Sequence, residues 1–280
     1  MTRSKFSNKL LGALAALMLA AGSPPVLAQN AQSANAANRP LSGAVMPATD
    51  EERIAELVTA NHILAHQGVV DGFGHLSVRS ASNPKHFFMS RSLAPALVTR
   101  ADILEFDENS NPVKAGGPQP YGERFIHGEI YRARPDVHAV SHSHTTEVLP
   151  FTVTKTSLKA LIHVAAFLGT EGAPVFDLRD TQPENLMLIS NVKSGADLAK
   201  TLGSRSVVLM RGHGMTVAAP TTRDAVLRAI YTRVNAQVQM DAMKLGEPVF
   251  MSAFEATRVD PIARQWPLWV EQAEAGRKAR

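Results

Sequence analysis

Residues 123–144 read ERFIHGEIYRARPDVHAVSHSH, and the rest of the chain arranges itself around them. From Glu123 to Arg134 the pattern predicts a helix, and Pro135 stops it, because proline disfavours helical backbone at the residue before it. Val137 to His144 then reads as a strand. On a strand, residues two apart point to the same face, so His142 and His144 can reach one ion together. A third histidine stands far downstream in Arg211-Gly212-His213-Gly214, between glycines that let backbone fold closely around an ion. Three neutral imidazoles plus an open position form the ligand set of a catalytic divalent metal, with Zn–N bonds of about 2.0–2.1 Å. Glu123 starts the helix that immediately precedes the histidine strand, so its carboxylate can be aimed at the same point. His127 follows four residues later on the same helix face. Plainer alternatives stand beside these readings: a histidine pair on a strand also fits a polar face, and His213 also fits an ordinary turn.

Upstream, Thr49 and Glu52 lie three apart as a capping box, and Ile54, Leu57, Val58, Ile63 and Leu64 continue at helical spacing until Gly68 and Gly72. Leu76 to Arg79, Phe87 to Met89 and Leu104 to Phe106 read as strands, the last followed by a turn. Downstream, Ser206 to Met210 and Met215 to Ala218 are strands around the His213 bend. Thr221 or Thr222 caps a long helix with Val226, Ala229, Ile230, Val234 and Val238 on its buried face. No Gly-rich nucleotide fingerprint and no internal repeat interrupts this order. The expectation is one α/β domain over residues 49–250, a three-layer arrangement with a mostly antiparallel central sheet flanked by helices. Residues 251–280, with Trp266 and Trp269, form a packing or interface segment.

The amino terminus reads differently. A basic stretch without acid (residues 1–9), an apolar run (10–21) and Val26-Leu27-Ala28 are the three parts of a cleavable signal peptide. The apolar run is well short of the roughly 20 residues that span a bilayer. The expectation is cleavage after Ala28, a periplasmic or secreted product and no stable membrane anchor. Residues 29–48, rich in Ala, Asn, Ser, Pro and Gln without periodicity, read as a flexible leader. Cleavage removes three basic residues and no acid, so the formal charge falls from +4 to +1. Nothing in that balance argues for nucleic acid as a partner. The chain has no cysteine, which excludes disulfides and thiolate metal ligands.

The ordered combination of Glu123 to His127, Arg134-Pro135-Asp136, His142-Ser143-His144 and the later Gly212-His213-Gly214 resembles the class II aldolase/adducin family, over about residues 50–245. The resemblance implies that His142, His144, His213 and Glu123 surround a divalent metal, zinc first, with manganese or iron as alternatives. It further implies that Glu123 is the acid/base, that the substrate is a small molecule, and that the chain forms a homo-oligomer, a tetramer. A cation stabilises an oxyanion as charge develops, and a nearby carboxylate moves the proton.

The departures from that family carry as much information. Where its aldolases have Gly-Asn, this chain has Gly72-Phe73-Gly74-His75. Where they have phosphate donors, it has Ser90-Arg91-Ser92-Leu93 and Tyr121-Gly122, and the tyrosine expected near Leu161-Ile162-His163 is absent. The phosphate cradle is therefore largely missing. Gly74-His75-Leu76-Ser77, His163 to Gly169 and Pro174 to Asp177 are similar to the branch that contains decarboxylases of hydroxylated aromatic acids and an iron-dependent oxygenase. In that light Arg91 becomes a fork for a substrate carboxylate, with Ser90 or Ser92 assisting. His75 becomes a second proton donor or a phenolate binder, and His163 a further substrate contact. Arg91 as a surface ion pair and His163 as a core or interface residue are the plainer alternatives.

Three functions compete: a metal-dependent carbon–carbon lyase (aldolase or decarboxylase) on a small hydroxy- or oxo-acid, a non-haem iron oxygenase on the same ligands, and an adducin-like non-catalytic scaffold. Retention of the whole Glu and His set argues against the scaffold, since buried polar ligands cost energy without a metal.

Overall fold

Strand alternation divides the apolar residues between two cores, one on each face of a single sheet. The computed structural model describes residues 41–184, 187–257 and 263–278. The expected signal peptide and cleavage point, and residues 29–40 of the expected leader, lie outside the described residues. The strands are β1 (His75–Arg79), β2 (Phe87–Ser90), β3 (Ile103–Phe106), β4 (Ala139–Ser143), β5 (Val175–Phe176), β6 (Val207–Met210) and β7 (Gly214–Ala219). They form one seven-stranded sheet in the order β3-β2-β1-β4-β7-β6-β5. Every pair is antiparallel except β5 with β6.

Leu76, Val78, Ala139, Val207, Leu209, Met215 and Val217 project to one face and pack with α1 (Asp50–His66) and the later helices α5 (Thr222–Leu245) and α7 (Gln265–Lys278). Met89, Val140, Val208, Met210 and Ala218 project to the other, beneath α2 (Arg124–Ala133) and α4 (Val192–Leu202), which pack on each other. Two short helices, α3 (Leu149–Val153) and α6 (Ala253–Ala256), complete the set of α-helices among the described residues. The architecture is a single three-layer α/β domain, and both faces of the sheet are covered.

The capping box predicted at α1 forms in full, with Thr49 and Glu52 each serving the other's backbone. Thr221 caps α5. The buried stripe of α5 differs from the apolar one expected. Val234 and Val238 are only partly buried, whereas Asn235 and Gln239 are fully buried. Their amides replace a strand's hydrogen bonds for residues 157–162: Asn235 Oδ1 accepts from Leu161 N at 2.9 Å and Gln239 Oε1 from Lys159 N at 3.0 Å. The sequence reading passed over α4, although Asn191 caps it and Leu198 and Leu202 point inward. The stretch read as a flexible leader is pinned at its end. Leu41 and Ser42 are buried, and both amides donate to Asp224 Oδ1, at 2.8 and 2.7 Å. Among the described residues no helix is long and apolar enough to cross a membrane.

Candidate metal centre

The β6–β7 hairpin and β4 meet edge to edge, and this decides where the histidines go. Register pairs His142 with Thr216 and Ser143 with Met215, so the turn holding His213 lies against the end of β4. The approach is tight: a Cβ on Gly214 would lie 2.0 Å from Ser143 O and 3.0 Å from His144 Cα. Only glycine fits there. Gly212 takes a positive φ of 62° to turn the chain. His144 sits one residue beyond β4, and two-residue spacing keeps it with His142.

Glu123 is the N-cap residue of α2 yet makes no side-chain cap bond. Its carboxylate turns instead toward the histidines. Glu123 Oε2 lies 3.5 Å from His142 Nε2, 4.0 Å from His144 Nε2 and 3.6 Å from His213 Nε2. His144 Nε2 and His213 Nε2 are 2.8 Å apart. One ligand atom from each of the four residues falls within 4.8 Å of all the others.

The donor set fits a divalent cation on a further observation. His142 Nε2 is fully buried and has no hydrogen-bond partner, since 3.5 Å to Glu123 is too long for a good one. A buried imidazole nitrogen aimed at two others and a carboxylate is what a metal ligand looks like before its ion is considered. The outer nitrogens are held in turn. His142 Nδ1 lies 3.2 Å from Thr216 Oγ1, and His213 Nδ1 lies 2.7 Å from Met187 O.

The charges fit too. Burial by itself would raise the Glu123 carboxyl, but His142 and His213 outweigh it and hold the group below the ordinary carboxylate range. Burial, with His142 and His213 nearby, lowers His144 to about 4, so its imidazole is neutral near pH 7. Burial opposes charge on His213 as well, but its contacts with Glu123 prevail and raise it.

Around this group the sequence-named substrate residues divide. His75 is buried opposite His142 in the β1–β4 register, its ring 5.1 Å from that of His142. Ser90 is buried at the end of β2. Arg91 has its Nε committed to Asp102 Oδ1 at 2.7 Å, the surface ion pair weighed as its alternative. Ser92 is exposed. His163 is also exposed, and among the described residues no hydrogen bond, ion pair or ring contact joins it to the four ligands.

Residues passed over as site members complete the walls. The Tyr121 ring lies 4.5 Å from His75, and its hydroxyl bonds the Leu93 carbonyl. Its position two before Glu123 was the available signal. Phe73, 66% exposed, stacks on His144 at 5.7 Å between ring centroids. His127 does not face the ligands directly but bonds His75.

Residues 55–240 match the model of the Class II Aldolase and Adducin N-terminal domain. The chain is 37% identical over 252 residues to the decarboxylase tropJ of Talaromyces stipitatus, covering 80% of this chain and 94% of that protein. It is 30% identical over 204 residues to a 3,4-dihydroxyphthalate decarboxylase of Arthrobacter keyseri, covering 68% and 78%. In fold it resembles an aldolase II superfamily protein from Pseudomonas syringae, with a TM-score of 0.69 at 22% identity over 83% of this chain and 95% of that one. It also resembles an L-fuculose 1-phosphate aldolase from Glaciozyma antarctica, with a TM-score of 0.62 at 24% identity over 88% and 97%.

Proposed function

Because the chain belongs to the class II aldolase and adducin family, we propose that it is a divalent-metal-dependent carboxy-lyase acting on a hydroxylated aromatic acid. The observation that carries this reading is the wall around the ligand cluster. Where a sugar-phosphate enzyme needs phosphate donors, this chain places the rings of Phe73, His75 and Tyr121, which suit a flat substrate. The relatives named for decarboxylation support the same choice of reaction over aldol cleavage.

A cation held by His142, His144, His213 and Glu123 supplies positive charge beside a substrate oxygen and lowers the energy of the oxyanion that develops there. Glu123, kept ionised by its histidine neighbours, takes the hydroxyl proton of the substrate and delivers it to the ring carbon that bears the carboxylate. The carbon–carbon bond to the carboxylate then breaks. Its electron pair restores the aromatic ring and carbon dioxide leaves. Ile189 N–H, 3.3 Å from Glu123 Oε1, steadies the carboxylate while Oε2 faces the histidines.

The test is carbon dioxide release by the purified protein, loaded in turn with Zn²⁺, Mn²⁺ and Fe²⁺, from a panel of hydroxylated aromatic acids. Turnover is expected with at least one pair. Glu123→Gln should abolish it with metal still bound, and His142→Ala should lose the metal. Inertness across the whole panel, with thermal stability unchanged by a chelator, would overturn the assignment. Oxygen uptake dependent on Fe²⁺ would assign the site to an oxygenase instead.

A further inference from the structure

Behind His75 runs a buried polar chain that the reaction above does not use. His75 Nδ1 lies 2.7 Å from His127 Nε2, His127 Nδ1 lies 2.6 Å from Ser77 Oγ, and Ser77 Oγ lies 2.7 Å from Tyr131 OH. His75, Ser77, His127 and Tyr131 are all 5% exposed or less. A polar chain this deep costs free energy unless every member is paired, so the direction of each proton is constrained.

The direction can be read from the far end. Ser77 Oγ is the hydrogen-bond partner of Tyr131 OH. Burial pushes the phenol well above its ordinary range, so it keeps its proton and must donate it. Ser77 therefore accepts from Tyr131 and turns its own hydrogen to His127 Nδ1. An imidazole that accepts at Nδ1 carries its proton on Nε2, and His127 donates from there to His75 Nδ1. His75 is then left with its proton on Nε2. With His127 donating at Nδ1 instead, Ser77 either turns its hydrogen to Tyr131 and orphans the phenol proton, or accepts from both neighbours and leaves its own hydrogen without an acceptor among the described residues, a buried loss either way. Arg79 acts in the same sense. Its guanidinium carbon sits 4.7 Å over the Tyr131 ring, and a positive charge there favours protons displaced away from it, toward His75.

We infer that Tyr131, Ser77 and His127 lock His75 in its Nε2–H tautomer, making His75 a fixed hydrogen-bond donor to the oxyanion of the substrate bound beside the metal ligands. His75 Nε2 has no hydrogen-bond partner among the described residues, and its ring contacts those of both His142 and Tyr121, at 5.1 and 4.5 Å between centroids. A neutral donor of fixed direction stabilises a phenolate oxygen without moving a proton of its own. His75 is the catalytic residue in this scheme, and Ser77, His127 and Tyr131 are positioning residues. The role in turnover rests on the carboxy-lyase reading; the tautomer does not.

Long-range ¹H–¹⁵N correlation spectra of the full protein, labelled with ¹⁵N-histidine and loaded with Zn²⁺, report the tautomer directly. Both His75 and His127 should carry their proton on Nε2. Ser77→Ala removes the hydroxyl that fixes His127, so His75 should populate the Nδ1–H form. In that variant kcat should fall about tenfold or more with KM and zinc content little changed, in keeping with the 10–100-fold effects of groups that orient active-site ligands. Ser77→Thr, which keeps the hydroxyl, should retain both the tautomer and the rate. A wild-type His75 protonated on Nδ1, or an unchanged tautomer in Ser77→Ala, would overturn the inference. The expected tautomers in a protein that decarboxylates nothing would uphold the lock and count against the reaction assignment alone.

Discussion

Glu123 stands where a helix would welcome a cap and does not cap it. Its carboxylate faces three imidazoles instead, and that exchange of a local hydrogen bond for a distant one marks it among the acidic residues of the chain. Its place beside the histidines was legible from spacing, because it opens the helix that leads into the histidine strand. Phe73 was not legible in this way. It lies between glycines in a loop, where no periodicity speaks for it, yet its ring covers His144 while remaining 66% exposed. A ring so exposed adds little to folding stability, and stacking of an aromatic ligand is worth about 0.5–1.5 kcal/mol. Phe73→Ala should therefore raise KM for an aromatic acid up to about tenfold, with thermal stability nearly unchanged. Steady-state kinetics on the active pair would show it, and an unaltered KM would remove Phe73 from the binding surface.

At the scale of the element, the β6–β7 hairpin is the device that completes the centre. Strand pairing alone would leave His213 on a loop, but contact between Gly214 and the Ser143 carbonyl holds the turn against the end of β4. Gly214→Ala cannot be absorbed by a flexible side chain, because the obstructing atoms are backbone. The hairpin must move, and His213 with it. We expect metal affinity to drop by at least tenfold while the sheet survives, measured by zinc titration beside circular dichroism. Binding equal to the parent would show that the close approach is dispensable. Helix α4 belongs to the same scale. Its cap and inward leucines were present in the sequence, but its polar first turns hid the period until α2 gave it a packing partner.

Across the whole molecule the histidines set the response to acid. Burial lowers His62, His75, His127, His138 and His144, with His127 at about 3 and His144 at about 4. Below pH 6.5 the unfolded chain thus binds more protons than the folded one, so stability present above that pH is lost as pH falls toward the folded values. His213, which is raised, works in the opposite sense: it adds stability below pH 6.5 that is lost at higher pH. His127 by itself accounts for about 2 kcal/mol between pH 7 and pH 5. Urea unfolding of the metal-free protein should therefore give a free energy at least that much smaller at pH 5 than at pH 7. Equal values would mean that the buried histidines open to water before they titrate.

The sequence by itself determined most of the helices and strands, the family, and the candidate ligands, because periodicity, caps and two-residue spacing are local properties of a chain. It could not supply the meeting of β4 with the β6–β7 turn, nor the docking of Leu41 and Ser42 on Asp224, nor the choice of Asp102 as the partner of Arg91. Those depend on which residues the sheet register places opposite one another across long separations. The chain from Tyr131 to His75 depends on it most, since β1 and α2 must first be stacked before Ser77 can lie between His127 and Tyr131.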